Sequence, residues 1–136
     1  MKRAIATTSL ALLSTVGMVF ALATPAYADD GRFTMWTDDG DPGGRVVFHA
    51  DGDYVELCDK EADGYGVYLT ITDTDGNGGY SMSVGGNDEC KVHRASEGGK
   101  YDLEEGSCLS FHIGLGPSYK FDDYALWKNA SDGGNC

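Results

Sequence analysis

The sharpest local grouping of liganding side chains is Asp73-Thr74-Asp75-Gly76-Asn77-Gly78. Oxygen donors at positions one, three and five followed by glycine at six match the opening of a calcium loop, and Tyr80 supplies the large residue at position eight. Val84 stands at position twelve, where a bidentate glutamate completes such loops, and both flanks read as strands rather than helices. Asp, Asn and Gly are also the hairpin-turn formers. The stretch therefore reads as a turn first and as a calcium site, with Asp73, Asp75 and Asn77 as ligands, second. Asp38, Asp39 or Asp88 would then complete the shell from another loop.

Other chemistries find less support. No G-x-S-x-G elbow frames a serine, and His49, His93 and His112 are scattered, which suits packing or surface positions better than a general base. With 22 acidic residues, a pair of carboxylates carries no information about glycoside cleavage. The 20 glycines lack the lysine and following helix of a phosphate loop. The expectation is a protein that is not an enzyme and needs no cofactor, calcium apart.

Cys58, Cys90, Cys108 and Cys136 contain no close C-x-x-C pair, which argues against zinc and for two disulfides in an exported domain. Three connectivities are possible. Cys58 with Cys90 and Cys108 with Cys136 is favoured, because each bridge closes a loop of about 30 residues, worth up to about 3.5 kcal/mol by chain entropy.

The chain opens with Met1-Lys2-Arg3, an apolar run, and Thr24-Pro25-Ala26-Tyr27-Ala28, the signature of a secretory signal cleaved after Ala28. Residues 1–28 are thus read as signal peptide, 29–44 as an acidic N-terminal segment and 45–136 as a disulfide-stapled β domain. The net charge is −12, and loss of Lys2 and Arg3 with the leader would leave 8 basic against 22 acidic residues. Such a field disfavours nucleic acid and anionic lipid, so neither nucleic acid nor membrane is an expected partner.

The elements that must position these residues are short. Apolar and aromatic runs punctuated by Gly, Asp and Asn predict strands over 32–37, 45–50, 53–58, 65–72, 80–84, 108–114 and 124–128, with a weaker one over 90–94. Asp51-Gly52 reads as a two-residue hairpin turn. Val46, Phe48 and Ala50, then Val55 and Leu57, then Val67, Leu69 and Ile71, then Leu109, Phe111 and Ile113 alternate with polar neighbours and should face one core. This pattern indicates an all-β fold, a small antiparallel β-sandwich or barrel. Residues 87–106 read as a charged surface excursion. Trp36 and Trp127 read as packing residues before sugar platforms.

Asp41-Pro42-Gly43-Gly44, Val47-Phe48, Cys58-Asp59 and Ala62-Asp63-Gly64 followed by Val67 together resemble a group of small secreted actinobacterial (streptomycete) β-domain proteins, over roughly half of the exported part. In size and build the chain is also similar to the adaptor subunit of streptomycete umbrella toxin particles, where a small β domain joins a lectin to a large toxin polypeptide. No diagnostic motif of that subunit maps onto numbered positions here.

The expected role is a secreted binding or assembly protein with an extracellular protein partner. In one form of it, the 29–44 segment inserts into that partner with Phe33, Met35 and Trp36 as anchors; in the plainer form, residues 32–37 are the first strand. The alternative role is an inhibitor of an extracellular hydrolase that presents a loop within 85–106.

Overall fold

A computed structural model describes residues 31–76, 78–134 and 136. The proposed leader lies outside these residues. Eight strands alternate with glycine- and aspartate-rich turns: β1 (Arg32–Trp36), β2 (Gly44–His49), β3 (Tyr54–Asp59), β4 (Val67–Asp73), β5 (Gly79–Val84), β6 (Glu89–His93), β7 (Cys108–Leu115) and β8 (Lys120–Lys128). They form two antiparallel sheets, with strand orders β1-β2-β3-β6 and β5-β4-β7-β8. The fold is all-β, and the disulfides are Cys58–Cys90 and Cys108–Cys136. Among the described residues no helix is long and apolar enough to cross a membrane.

Alternation puts one face of every central strand into the core. Val46, Phe48, Val55 and Leu57 come from the first sheet, and Val67, Leu69, Ile71, Leu109, Phe111 and Ile113 from the second, all essentially buried. Each such side chain contributes roughly 1.5–3 kcal/mol relative to exposure. Across the layers Phe48 meets Phe111 at 5.0 Å between ring centroids. Trp127 closes the cluster against Phe33, Phe48 and Phe111.

Strand β1 pairs with β2 from Arg32↔His49 to Trp36↔Arg45, so among the described residues the first sheet takes in residues 32–36, ahead of Arg45. The reason lies in its own alternation: Phe33 and Met35 point into the sandwich while Arg32, Thr34 and Trp36 point out.

The β2–β3 hairpin is longer than a two-residue turn. His49 pairs with Tyr54, which leaves Ala50 to Asp53 as the loop. Asp53 adopts φ 49° and is buried, with Oδ2 accepting from the Leu103 N–H at 2.7 Å and Oδ1 from Asn129 Nδ2 at 2.8 Å. A buried carboxylate needs such donors, and this demand takes Asp53 out of the strand.

The charged 87–106 stretch is more ordered than its composition suggests. It contains β6 and two 3-10 turns, Ala95–Glu97 and Gly99–Tyr101, and it buries Leu103 and packs Tyr101 against the core. Gly31 sits beside the segment that follows β8: a Cβ there would lie 2.9 Å from the Ala130 carbonyl oxygen.

Candidate interaction surface

The outer face of the second sheet carries an ordered group of aromatic and polar side chains. His112 on β7 pairs with Tyr124 on β8 and with Thr70 on β4, so the three stand side by side across the sheet. The His112 ring stacks on Tyr124 at 3.9 Å and 9° and on Tyr119 at 4.3 Å and 23°. Tyr68 meets Tyr119 edge-on at 6.2 Å. The Tyr119 hydroxyl is 2.7 Å from Thr70 Oγ1, which is itself 2.8 Å from Ser81 Oγ.

Two backbone features place this stack. Tyr119 and Phe121 both have φ 50°, an uncommon left-handed conformation for bulky residues and one that concentrates at functional sites. Gly114 makes room for the first of them, since a Cβ there would stand 2.7 Å from Tyr119 Cα. The same place is a bulge in the β7–β8 register, between Ile113 and Leu115. Bulges re-aim side chains in this way.

His112 Nε2 lies 3.0 Å from Asp122 Oδ2. This hydrogen bond holds the Asp122 carboxyl below the usual carboxylate range. Desolvation, followed by the adjoining Asp122, pushes the Tyr124 hydroxyl above its ordinary value. At the rim Phe121, Tyr124 and Leu126 are 57%, 62% and 59% exposed, all on the edge strand β8. The Phe121 carbonyl accepts from the Asp38 N–H at 2.9 Å, which ties this edge to the acidic loop after β1.

The anchors expected in the first strand are placed otherwise. Met35 is 6% exposed within the core, and Phe33 is half-buried, stacked on Trp127 at 5.3 Å. Both are occupied in packing, so neither is free to anchor a partner while β1 stays paired. Trp36 is exposed, with the Arg45 guanidinium 5.7 Å from its ring.

Asp73 and Asp75 lie at the β4–β5 turn, and Asn77 lies outside the described residues. Asp73 Oδ1 accepts from the Asp75 N–H at 2.9 Å, as in an Asx turn. Asp38, Asp39 and Asp88 do not approach this turn. Asp39 reaches Gly43, beside Leu115, and Leu115 pairs with Val67 at the other end of β4. Asp88 pairs with Lys60, just beyond β3 at that same end. Among the described residues the grouping of metal-ligand atoms is Glu56, Cys58 and Cys90, whose sulfurs are consumed in a disulfide.

Sequence reasoning missed Tyr119, Phe121, Asp122, Tyr124 and Leu126 as a group with His112. Tyr124 and Leu126 alternate with Ala125 and Trp127, so both faces of β8 are apolar and periodicity alone does not say which is outward. No protein-family model, curated protein or solved structure matches the chain.

Proposed function

We propose that this protein is a secreted, non-catalytic binding or assembly module that docks an extracellular protein through the outer face and edge of β8. The observation that carries this reading is that Phe121, Tyr124 and Leu126, all on β8, are each more than half exposed, with Tyr124 held in a pre-stacked Tyr119–His112–Tyr124 group. Interface hot spots favour aromatic side chains, and side chains already held in place lose less entropy on binding.

The mix of aliphatic Leu with Phe and Tyr suits a protein surface better than a sugar, whose C–H faces stack on flat rings but give an aliphatic side chain little to pack against. Asp122 and Asp123 beside the patch, in a chain of net charge −12, call for a basic rim on the partner. The same charge disfavours nucleic acid and anionic membranes. A concrete form of the role is an adaptor subunit in an extracellular antibacterial toxin complex, as the resemblance implies. Two disulfides and the absence of a spanning helix among the described residues accord with an extracellular location.

Each histidine sits in a local aromatic or carboxylate contact. His112 is stacked and bonded to Asp122, His93 is stacked on Tyr101 at 3.9 Å and bonded to Glu97, and His49 stands edge-on to Tyr54.

The test is affinity purification of the tagged protein from culture supernatant beside a Phe121→Ala/Tyr124→Ala/Leu126→Ala variant. Specific co-purification of one protein with the parent, lost in the folded variant, is the expected result. A parent that returns alone, or a partner retained by the variant, would overturn the proposal.

A further inference from the structure

Each sheet has two edge strands, and β8 differs from the other three. β1, β5 and β6 hold five or six residues, whereas β8 holds nine and is the longest strand among the described residues. Edges are usually kept short or charged, because their open N–H and C=O groups invite another strand. β8 carries two lysines and two aspartates and is neutral overall, in a chain of net charge −12.

The backbone shows which groups face the open side. Asn129 turns both of its groups toward the segment that leads into β7: its N–H donates to the Ser107 carbonyl at 2.9 Å and its carbonyl accepts from the Gly106 N–H at 2.6 Å. This direction alternates along a strand, so Lys128, Leu126 and Tyr124 turn theirs away from β7. Accordingly the Tyr124 N–H donates to the Asp123 carboxylate at 2.8 Å, and the Lys128 carbonyl accepts from the Ala130 N–H at 2.9 Å. At the start of the strand the Asp38 N–H covers the Phe121 carbonyl, which leaves 122–128 as the open edge among the described residues. Outer-face side chains along it are Asp122, Tyr124, Leu126 and Lys128, in step with His112, Ser110 and Cys108 of β7.

We infer that a second copy of this chain pairs with that edge, β8 against β8, in antiparallel register about a twofold axis at Ala125. Edge-facing residues must meet edge-facing residues, so the axis passes through a residue and not between two. At Ala125, the middle of 122–128, Tyr124 stands opposite Leu126 twice and Asp122 opposite Lys128 twice. Two apolar pairs and two pairs of opposite charge then line one face, the arrangement that stabilises a sheet. An axis at Tyr124 would set Lys120 against Lys128, and one at Leu126 would set Tyr124 against Lys128, so either shift loses both ion pairs. General repulsion between two acidic chains is screened beyond about 8 Å at physiological salt, whereas these pairs are directly opposed.

Self-pairing rests on the reading of the β8 surface as a docking surface. It gives the edge to a second copy and joins two four-stranded sheets into one, with the Tyr119–His112 stacks of both copies side by side for the outside partner.

Sedimentation velocity over a concentration series of the protein purified from culture supernatant tests the assignment. The expected result is a reversible monomer–dimer equilibrium with a dissociation constant of about 1–100 μM, in keeping with a small interface. Leu126→Pro removes an edge-facing N–H and spares the bonds to β7, so it should abolish the dimer. Lys128→Asp and Asp122→Lys should each self-associate about 10-fold more weakly, while an equimolar mixture of the two regains the dimer, because each reversed charge then meets its opposite. These charge variants decide the question if Leu126→Pro does not fold. A parent that stays monomeric to about 1 mM would overturn the self-pairing, as would a dimer unaffected by the charge variants or a mixture that associates no more tightly than either variant alone. Capture of an outside partner by a monomeric parent would sink the self-pairing and leave the docking role standing; a dimer that captures nothing would do the reverse.

Discussion

The two outer faces of the sandwich solve the problem of exposure in opposite ways. On the first sheet charged and aromatic groups pair with one another: Arg45 pairs with Glu56 at 2.6 Å and lies over Trp36, and the Tyr54 hydroxyl donates to Glu56 at 3.0 Å. A disulfide ties Cys58 to Cys90 directly across β3 and β6. On the second sheet Cys108, on the outward side of β7 with His112, is bridged to Cys136 beyond β8 rather than to a neighbouring strand, and large apolar side chains are left to solvent beside a stacked histidine. A face closed by its own pairings stabilises, whereas a preordered face with uncovered rings is built to be covered.

The strongest way to break this contrast is to remove the staple. Cys58→Ala/Cys90→Ala should cost up to about 3.5 kcal/mol in chemical denaturation while leaving partner capture by the folded protein intact. Lost capture without lost folding would mean that the first face, not the second, binds. Next, Gly114→Ala drives a methyl group into the Tyr119 backbone and should cost about 1–3 kcal/mol. The Tyr119 and Tyr124 aromatic signals should move with it, as read by nuclear magnetic resonance. Breaking the Arg45 pair by Glu56→Gln should cost only about 0.5–1 kcal/mol, because both partners are partly solvated.

The smallest effect is the pH dependence of the stack. Asp122 titrates lower in the folded protein than in the unfolded chain, so its contribution is present above the ordinary carboxylate pKa of about 4 and is lost as pH falls through the lower folded value. Melting temperatures of His112→Gln should therefore fall less steeply than those of the parent between about pH 4 and pH 2. Parallel acid limbs would show that the Asp122–His112 bond does not persist in solution.

Much of this architecture was legible before any coordinates. Val46 with Phe48, Val55 with Leu57, and the two inward triplets on β4 and β7 are where alternation put them, because a half-buried strand permits only one register. The cysteine pairing followed from loop size. What stayed hidden depended on distant partners. The hairpin loop lengthened because Asp53 is recruited by Leu103 and Asn129, 50 and 76 residues away. Strand β8 began four residues early because Lys120-Phe121-Asp122-Asp123 carries the charges that suit an exposed edge rather than a strand-like composition. The stacked surface needs the cross-sheet register of His112 with Tyr124, which no single window of sequence contains.

The contact of Gly31 with Ala130 and Ser131 places the start of β1 next to the segment that follows β8. A fold whose first strand starts beside the exit from its last can be spliced into a surface loop of a carrier protein without stretching either one. It can equally be closed by a short linker and reopened at Asp51-Gly52, giving a circular permutant that leaves β8 and its aromatic face untouched.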